Sequence, residues 1–420
     1  MKDFASSYLK KHQLQTPEIS EPPSGNIGFI VVIPVLCEPD IIQTLESIWK
    51  CTRPSCDTEV LMIVNASEKA PDNIVECNCN TTIASLEWIR QHQDDSLKFF
   101  VLNVTLPDKD AGVGLARKIG MDAAIRRFNE TGRSRGFILS FDADSICDPD
   151  YFSAIEETIN LKPDTKGFTI YFEHPVSGIN FPERIYQGIA QYELHLRYVN
   201  LYLAYSGFPY AFHTVGSCFG VRADIYAAQG GMNKRKGGED FYFLHKIVPL
   251  GNFEVINSTR VIPSPRDSFR VPFGTGPVIH KYMETGLELT TYDPEAFRLL
   301  RQFLSLFPRF YKSESSVIRN LTGHLDKSIR EFLEIMHFTE AIEEINSNSG
   351  SPDTFRNRFF RWFDAFRIIK FLNYSAINHF PKQPVTKAVT VLLNDLNVKV
   401  PERRSPPELL HVLRRIERGS

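Results

Sequence analysis

Between residues 25 and 160, four apolar strand-like runs alternate with three amphipathic helical stretches. The runs cover 27–33, 58–64, 98–104 and the segment that begins at Phe137. The first, Ile-Gly-Phe-Ile-Val-Val-Ile, is β-branched and continuous, as in a parallel strand covered on both faces, and Pro34 is expected to stop it. Helices are expected over 39–50, 82–92 and 115–129, the first with Ile42, Leu45, Ile48 and Trp49 on one face. Strand–helix alternation of this kind predicts a doubly wound α/β unit with a mostly parallel sheet. After Pro294 the pattern turns helical, and Asn346-Ser-Asn-Ser-Gly-Ser-Pro352 reads as a short polar linker. The expected organisation is an extension over 1–24, an α/β domain over 25–290 and a helical region over 291–420, since 420 residues exceed one compact core.

The fourth run, Phe137-Ile-Leu-Ser-Phe-Asp142-Ala-Asp144, ends in two carboxylates spaced D-x-D. Open α/β sheets bind ligands at the carboxyl ends of their strands, so the pair is placed where a ligand would sit. Two hard oxygen donors there suit Mg²⁺ or Mn²⁺ held against a diphosphate. The competing structural role is helix capping, because Asp144-Ser145 precedes a helical stretch. A second acidic pair, Glu239-Asp240, follows Gly237-Gly238 and opens an amphipathic helix. It supplies a candidate general base for a hydroxyl nucleophile, with helix-dipole complementarity as the plain alternative.

Weaker signals surround these two. Gly112 and Gly114 enter the helix carrying Arg117 and Lys118, a pattern suited to an approaching phosphate. Arg266 and Arg270 are placed to clamp a diphosphate bidentately, and His280 is a candidate third metal ligand.

At this point the chain resembles the GT-A-fold glycosyltransferases of family 2, over roughly residues 27–250. Val31-Val-Ile-Pro34-Val-Leu-Cys-Glu38 with Leu45-Glu-Ser-Ile looks like the family's opening strand and helix. Gly114-Leu-Ala-Arg117-Lys looks like its G-x-A-R helix, Asp142-Ala-Asp144 its D-x-D, and Gly230-Gly231-Met-Asn with Gly238-Glu-Asp240 its acceptor-side segment. The resemblance implies a GT-A fold and Pro34, Leu36 and Glu38 at the nucleotide. It further implies Asp142 and Asp144 at ribose and metal, and Asp240 as the base, assisted by Glu239, of an inverting single displacement. It implies a UDP-sugar as donor, Mn²⁺ or Mg²⁺ as cofactor, and a hydroxyl acceptor on a glycan or glycolipid. Asn65-Ala-Ser67 stands where the family usually has Asp-Asp-Gly-Ser, so Asn65 is the residue expected to face the base.

A rival from another class is a Mg²⁺-dependent phosphatase of the HAD type, with Asp142 as nucleophile. Three strands precede the D-x-D, and the Arg117 helix and the Glu239-Asp240 segment would then have no task.

Net charge is −2, which gives no drive toward nucleic acid. Neither a secretory signal nor an apolar run of about 18 residues is seen, so a cytoplasmic protein is expected, with peripheral contact at the inner membrane face as an option. That option rests on 355–371, where Phe355, Phe359, Trp362, Phe363 and Phe366 share a face flanked by Arg and Lys; packing of that face within its own domain is the alternative. Seven cysteines without an export signal predict reduced thiols. Cys51, Cys56, Cys77 and Cys79 lie close in sequence, but C-x4-C and C-x-C do not match common zinc spacings.

Overall fold

The computed structural model describes residues 3–12, 18–267 and 274–419. They fold as two compact units, one from residues 1–186 and 214–280 and the other from 187–213 and 281–420.

The first unit is α/β, as the alternation predicts. Its chain order is α1 (Ser6–His12), β1 (Ile27–Val35), α2 (Ile41–Trp49), β2 (Asp57–Ser67), α3 (Asp72–Gln91), β3 (Leu97–Leu106) and α4 (Val113–Thr131). Then come β4 (Phe137–Ser140), β5 (Ile146–Cys147), α5 (Tyr151–Leu161), β6 (Gly167–Phe172) and α6 (Glu183–Tyr205), the last of which runs on into the second unit. After it follow β7 (Phe219–Arg222), α7 (Ala223–Ala228), α8 (Glu239–Ile247), β8 (Phe253–Ile262) and α9 (Thr275–Thr285). One eight-stranded sheet has the order β3-β2-β1-β4-β7-β6-β8-β5. β3, β2, β1 and β4 run parallel, and β7 enters antiparallel beside β4. The strands β1 and β2 are buried almost throughout, which is why they are apolar without alternation.

Two local expectations need correction. Pro34 does not stop β1: it pairs with Ile63 and the strand runs to Val35. Helix α3 begins at Asp72, ten residues before the expected Thr82, because Asn78, Thr81 and Ser85 supply its buried face in place of apolar residues. A polar buried face is invisible to a search for apolar periodicity.

That early start brings Cys77 onto α3 beside the chain leaving β1, where it forms a disulfide with Cys37. The expectation of seven reduced thiols is therefore wrong for this pair. Cys51, Cys56, Cys79, Cys147 and Cys218 are outside this disulfide. Among the described residues no three His, Cys, Asp or Glu side chains gather as a metal cage, so the cysteine cluster gains no support as a zinc site.

The second unit adds α10 (Pro294–Ser305), α11 (Ser315–Gly323), α12 (Lys327–Ile335), α13 (Phe338–Ser347), α14 (Pro352–Trp362), α15 (Ala365–Asn378), α16 (Val385–Asp395) and α17 (Pro406–Arg418). Its core is aromatic. Phe303, Phe310, Phe338, Phe359 and Phe363 pack ring against ring and are buried. Of the aromatic face of 355–371, Phe355, Phe359 and Phe363 are buried, whereas Trp362 and Phe366 are partly exposed. Arg197, buried completely on α6, is held by Glu193 at 2.8 Å and by Glu417 of α17. No helix among the described residues is long and apolar enough to cross a membrane.

Candidate active site

Strand β4 ends at Ser140, and the chain then delivers Asp142 and Asp144 at its carboxyl edge. Helix α4 passes along β1 and β2 and brings Arg117 to the same edge. Arg117 is buried, and its guanidinium is shared among four partners. Nη2 donates to Asp142 Oδ1 at 2.8 Å, Nε to Glu239 Oε1 at 3.1 Å, and Nη1 to the Gly216 carbonyl at 3.0 Å and to Ser140 Oγ. Ser140 in turn donates to the Gly216 carbonyl at 2.6 Å. Burial works against the charge of Arg117, but Asp142 and Glu239 more than offset it, so the group stays cationic. One guanidinium therefore joins the D-x-D to the Glu239-Asp240 pair, 97 positions apart in sequence from Asp142 to Glu239.

Glu239 and Asp240 open α8, where the positive end of the helix dipole favours acidic side chains. Glu239 is buried against Arg117; Asp240 is half-buried, with Oδ1 accepting from the Phe241 backbone N–H at 2.7 Å. Burial and then the neighbouring Glu239 carboxylate push the Asp240 carboxyl up to about 7. That is the range in which a carboxylate is a useful proton acceptor near neutral pH.

Gly216 lies at the centre of the group. A methyl added there would stand 2.9 Å from Arg117 Nη2, 3.4 Å from Asp240 Oδ2 and 3.5 Å from Asp142 Oδ2. The two carboxylate oxygens and the guanidinium thus converge on one point that only glycine leaves open. Neither Gly216 nor Ser140 was predicted from sequence. Ser140 is signalled by a hydroxyl at the end of an apolar strand, whereas Gly216 is one of 24 glycines and carries no local mark.

Gly112 and Gly114 lie close against the segment 235–239. A methyl at Gly114 would strike the Arg235 carbonyl oxygen at 2.1 Å and meet Glu239 Cβ at 3.0 Å, and one at Gly112 would stand 3.1 Å from Lys236 Cα. The glycines let α4 press against the segment that carries the second acidic pair. Lys118 is likewise turned inward, with Nζ 2.8 Å from Asp122 and 2.9 Å from the Tyr8 hydroxyl.

On the other flank, Arg266 Nη2 reaches Asp144 Oδ2 at 2.8 Å and also bonds Glu38 Oε1. Glu38 is buried and Leu36 partly so. Pro34 is buried within β1. Asn65 is committed to the scaffold: its Nδ2 donates to the Val35 carbonyl at 2.7 Å, and its own carbonyl accepts from Asn78 Nδ2 at 2.9 Å. His280 Nδ1 lies 3.0 Å from Asp267 Oδ2. Among the described residues no three His, Cys, Asp or Glu side chains gather as a metal cage, so His280 stays an untested candidate ligand. Arg270 lies outside the described residues.

The donor set still fits a hard divalent ion. Asp142 and Asp144 keep 34% and 29% of their side-chain surface open, so each carboxylate retains accessible oxygen while bound to an arginine. Magnesium-type sites at diphosphates usually take one or two carboxylates and complete their shell with phosphate oxygens and water.

No family model matches the chain, and no curated protein does. Among solved structures it is similar to Staphylococcus aureus TarS 1–349 in complex with UDP-GlcNAc, at 14% identity and a TM-score of 0.42, over 80% of this chain and 90% of that one. The same fragment in complex with UDP gives 14% and 0.40 over the same shares. Longer S. aureus TarS gives 15% and 0.38, over 76% of this chain and 54% of that one.

Proposed function

We propose that the chain is an inverting glycosyltransferase of GT-A architecture that moves a sugar from a nucleotide diphosphate sugar, a UDP-sugar, to a hydroxyl acceptor on a glycan or glycolipid. The observation that carries this reading is the convergence of Asp142, Asp240 and Arg117 on the point at Gly216. A donor-side carboxylate and a base with a raised pKa face the same glycine, the close placement that a single displacement requires. The phosphatase alternative uses Asp142 but gives Glu239, Asp240 and their link through Arg117 no part in the reaction.

In this reading Asp240 accepts the proton of the acceptor hydroxyl as its oxygen attacks the anomeric carbon and the bond to the diphosphate breaks. Glu239, fixed on Arg117, keeps Asp240 at the head of α8 and raises its basicity. Asp142 and Asp144 would hold Mn²⁺ or Mg²⁺, which supplies neutralisation of the charge building on the leaving diphosphate. Arg266 adds a guanidinium on the same side, and Glu38 with Leu36 and Pro34 lines the nucleotide end. Asn65, held to Val35, positions that wall rather than extending into it. The reaction belongs in the cytoplasm, where nucleotide sugars are made.

Proton NMR of the product tests the mechanism. An α-linked donor sugar incubated with enzyme, Mn²⁺ and an acceptor panel is expected to give a β-linked product with stoichiometric UDP. Retention of the α configuration, or phosphate release without an acceptor, would count against it.

A further inference from the structure

Arg266 is a cation placed directly on the second carboxylate of the D-x-D. Its Nη2 is shared between Asp144, at 2.8 Å, and Glu38. Its backbone N–H is turned back onto Ser264 Oγ at 3.3 Å, which fixes the chain just after β8. Only 20% of the side chain is exposed. Its Nε is buried and finds no hydrogen-bond partner among the described residues. A guanidinium carries five donors in a rigid fork matched to carboxylate and phosphate. Here two carboxylates draw on one nitrogen of that fork, and a buried donor is left over. Buried orphan donors are rare, and one beside a proposed diphosphate position marks a group built for a further acceptor.

We propose that Arg266 is the resident counter-cation of the donor site, neutralising Asp144 and Glu38 while no donor is bound and transferring its guanidinium to the donor's diphosphate when the divalent ion takes its place on Asp144. This rests on the nucleotide-sugar reading above. A divalent ion on the open oxygen of Asp144 would stand close to the Arg266 guanidinium, so the two cations repel and oppose each other at Asp144 in the empty site. Once a diphosphate is present the competition becomes cooperation, because the anion accepts from Arg266 and from the ion's side together. Metal and nucleotide binding are thereby coupled through one side chain, and the coupling is reciprocal. The device holds down occupancy by metal alone.

The test is Arg266→Gln, which removes the charge at similar size, beside Arg266→Lys, which keeps the charge and loses the fork. Free Mn²⁺ is followed by electron paramagnetic resonance, and UDP binding at saturating Mn²⁺ by calorimetry. Arg266→Gln is expected to bind Mn²⁺ alone about tenfold more tightly than wild type and UDP about tenfold more weakly, within the usual range of coupling between sites. Arg266→Lys is expected to stay near wild type for Mn²⁺ alone and to weaken UDP. Opposite signs in the glutamine variant cannot come from loss of fold, which would weaken both ligands. Unchanged Mn²⁺ affinity in that variant, or parallel loss of both ligands, overturns the proposal. Tighter Mn²⁺ binding with no nucleotide binding by wild type upholds the competition for Asp144 but overturns both the transfer to a diphosphate and the nucleotide-sugar reading.

Discussion

Asp240→Asn is expected to lower sugar transfer by about 10²–10⁴-fold, the usual worth of a positioned base, while leaving nucleotide affinity essentially unchanged. The substitution is nearly isosteric. It keeps the acceptor oxygen that receives the Phe241 N–H and removes only the capacity to take a proton. A fall in kcat without a rise in donor KM is the signature of a group that acts in the transition state alone. In the wild type, burial and Glu239 raise the Asp240 carboxyl to about 7. Below that pH the residue is protonated and cannot act as base, so the rate should climb with pH and level off above about 7.

The same raised value predicts the stability effect. Between the ordinary 3.8 and about 7 the unfolded chain releases this proton while the folded chain retains it. Folding therefore loses stability as pH rises through that window. Asparagine has no proton to lose, so the variant should melt at or above the wild-type temperature at pH 8. Lower thermal stability together with a flat pH profile would make Asp240 a structural residue.

Arg117→Met should have the largest structural effect of any single change in the site. It leaves Asp142 and Glu239 without their shared guanidinium and strips Ser140 and Gly216 of a donor. Removing one member of a buried charge network typically costs about 3–5 kcal/mol, because the remaining charges stay buried and uncompensated. For a unit of this size that corresponds to a fall in Tm of roughly 10 °C, readable by circular dichroism. Arg117→Lys restores the charge but not four simultaneous hydrogen bonds from one planar group, so it should fall between the two. A methionine variant that melts like wild type would show that the two acidic pairs are held in place by something else.

The parts of the fold legible in the sequence are those that bury apolar surface. Strands β1, β2 and β3 and helix α4 fall within a few residues of their predicted positions, because each is written in a continuous or periodic apolar pattern. The first half of α3 was not legible, since Asn78 and Thr81 bury polar side chains that satisfy the chain around Cys37, Glu38 and Asn65. The disulfide was missed for the same reason, as Cys77 reaches Cys37 only if the helix begins early.

In the site, D-x-D and Glu-Asp stood out because carboxylates at strand and helix ends are conspicuous. Their mutual placement did not, since it depends on a buried arginine with four partners and on Gly216, a residue with no side chain to advertise it. The glycines before α4 permit a close approach, and the group that approaches them in the structure is the backbone of Arg235 and Lys236.

The central claim is that Asp142 and Asp144 form the diphosphate end of a nucleotide-sugar site. Calorimetric titration with UDP, GDP and CMP, each with and without Mn²⁺, tests it on the wild type and on Asp144→Ala. Saturable, Mn²⁺-dependent binding of UDP that is lost in the variant is the predicted result. Binding that ignores both Mn²⁺ and the loss of Asp144, or no binding of any of the three nucleotides, would contradict it.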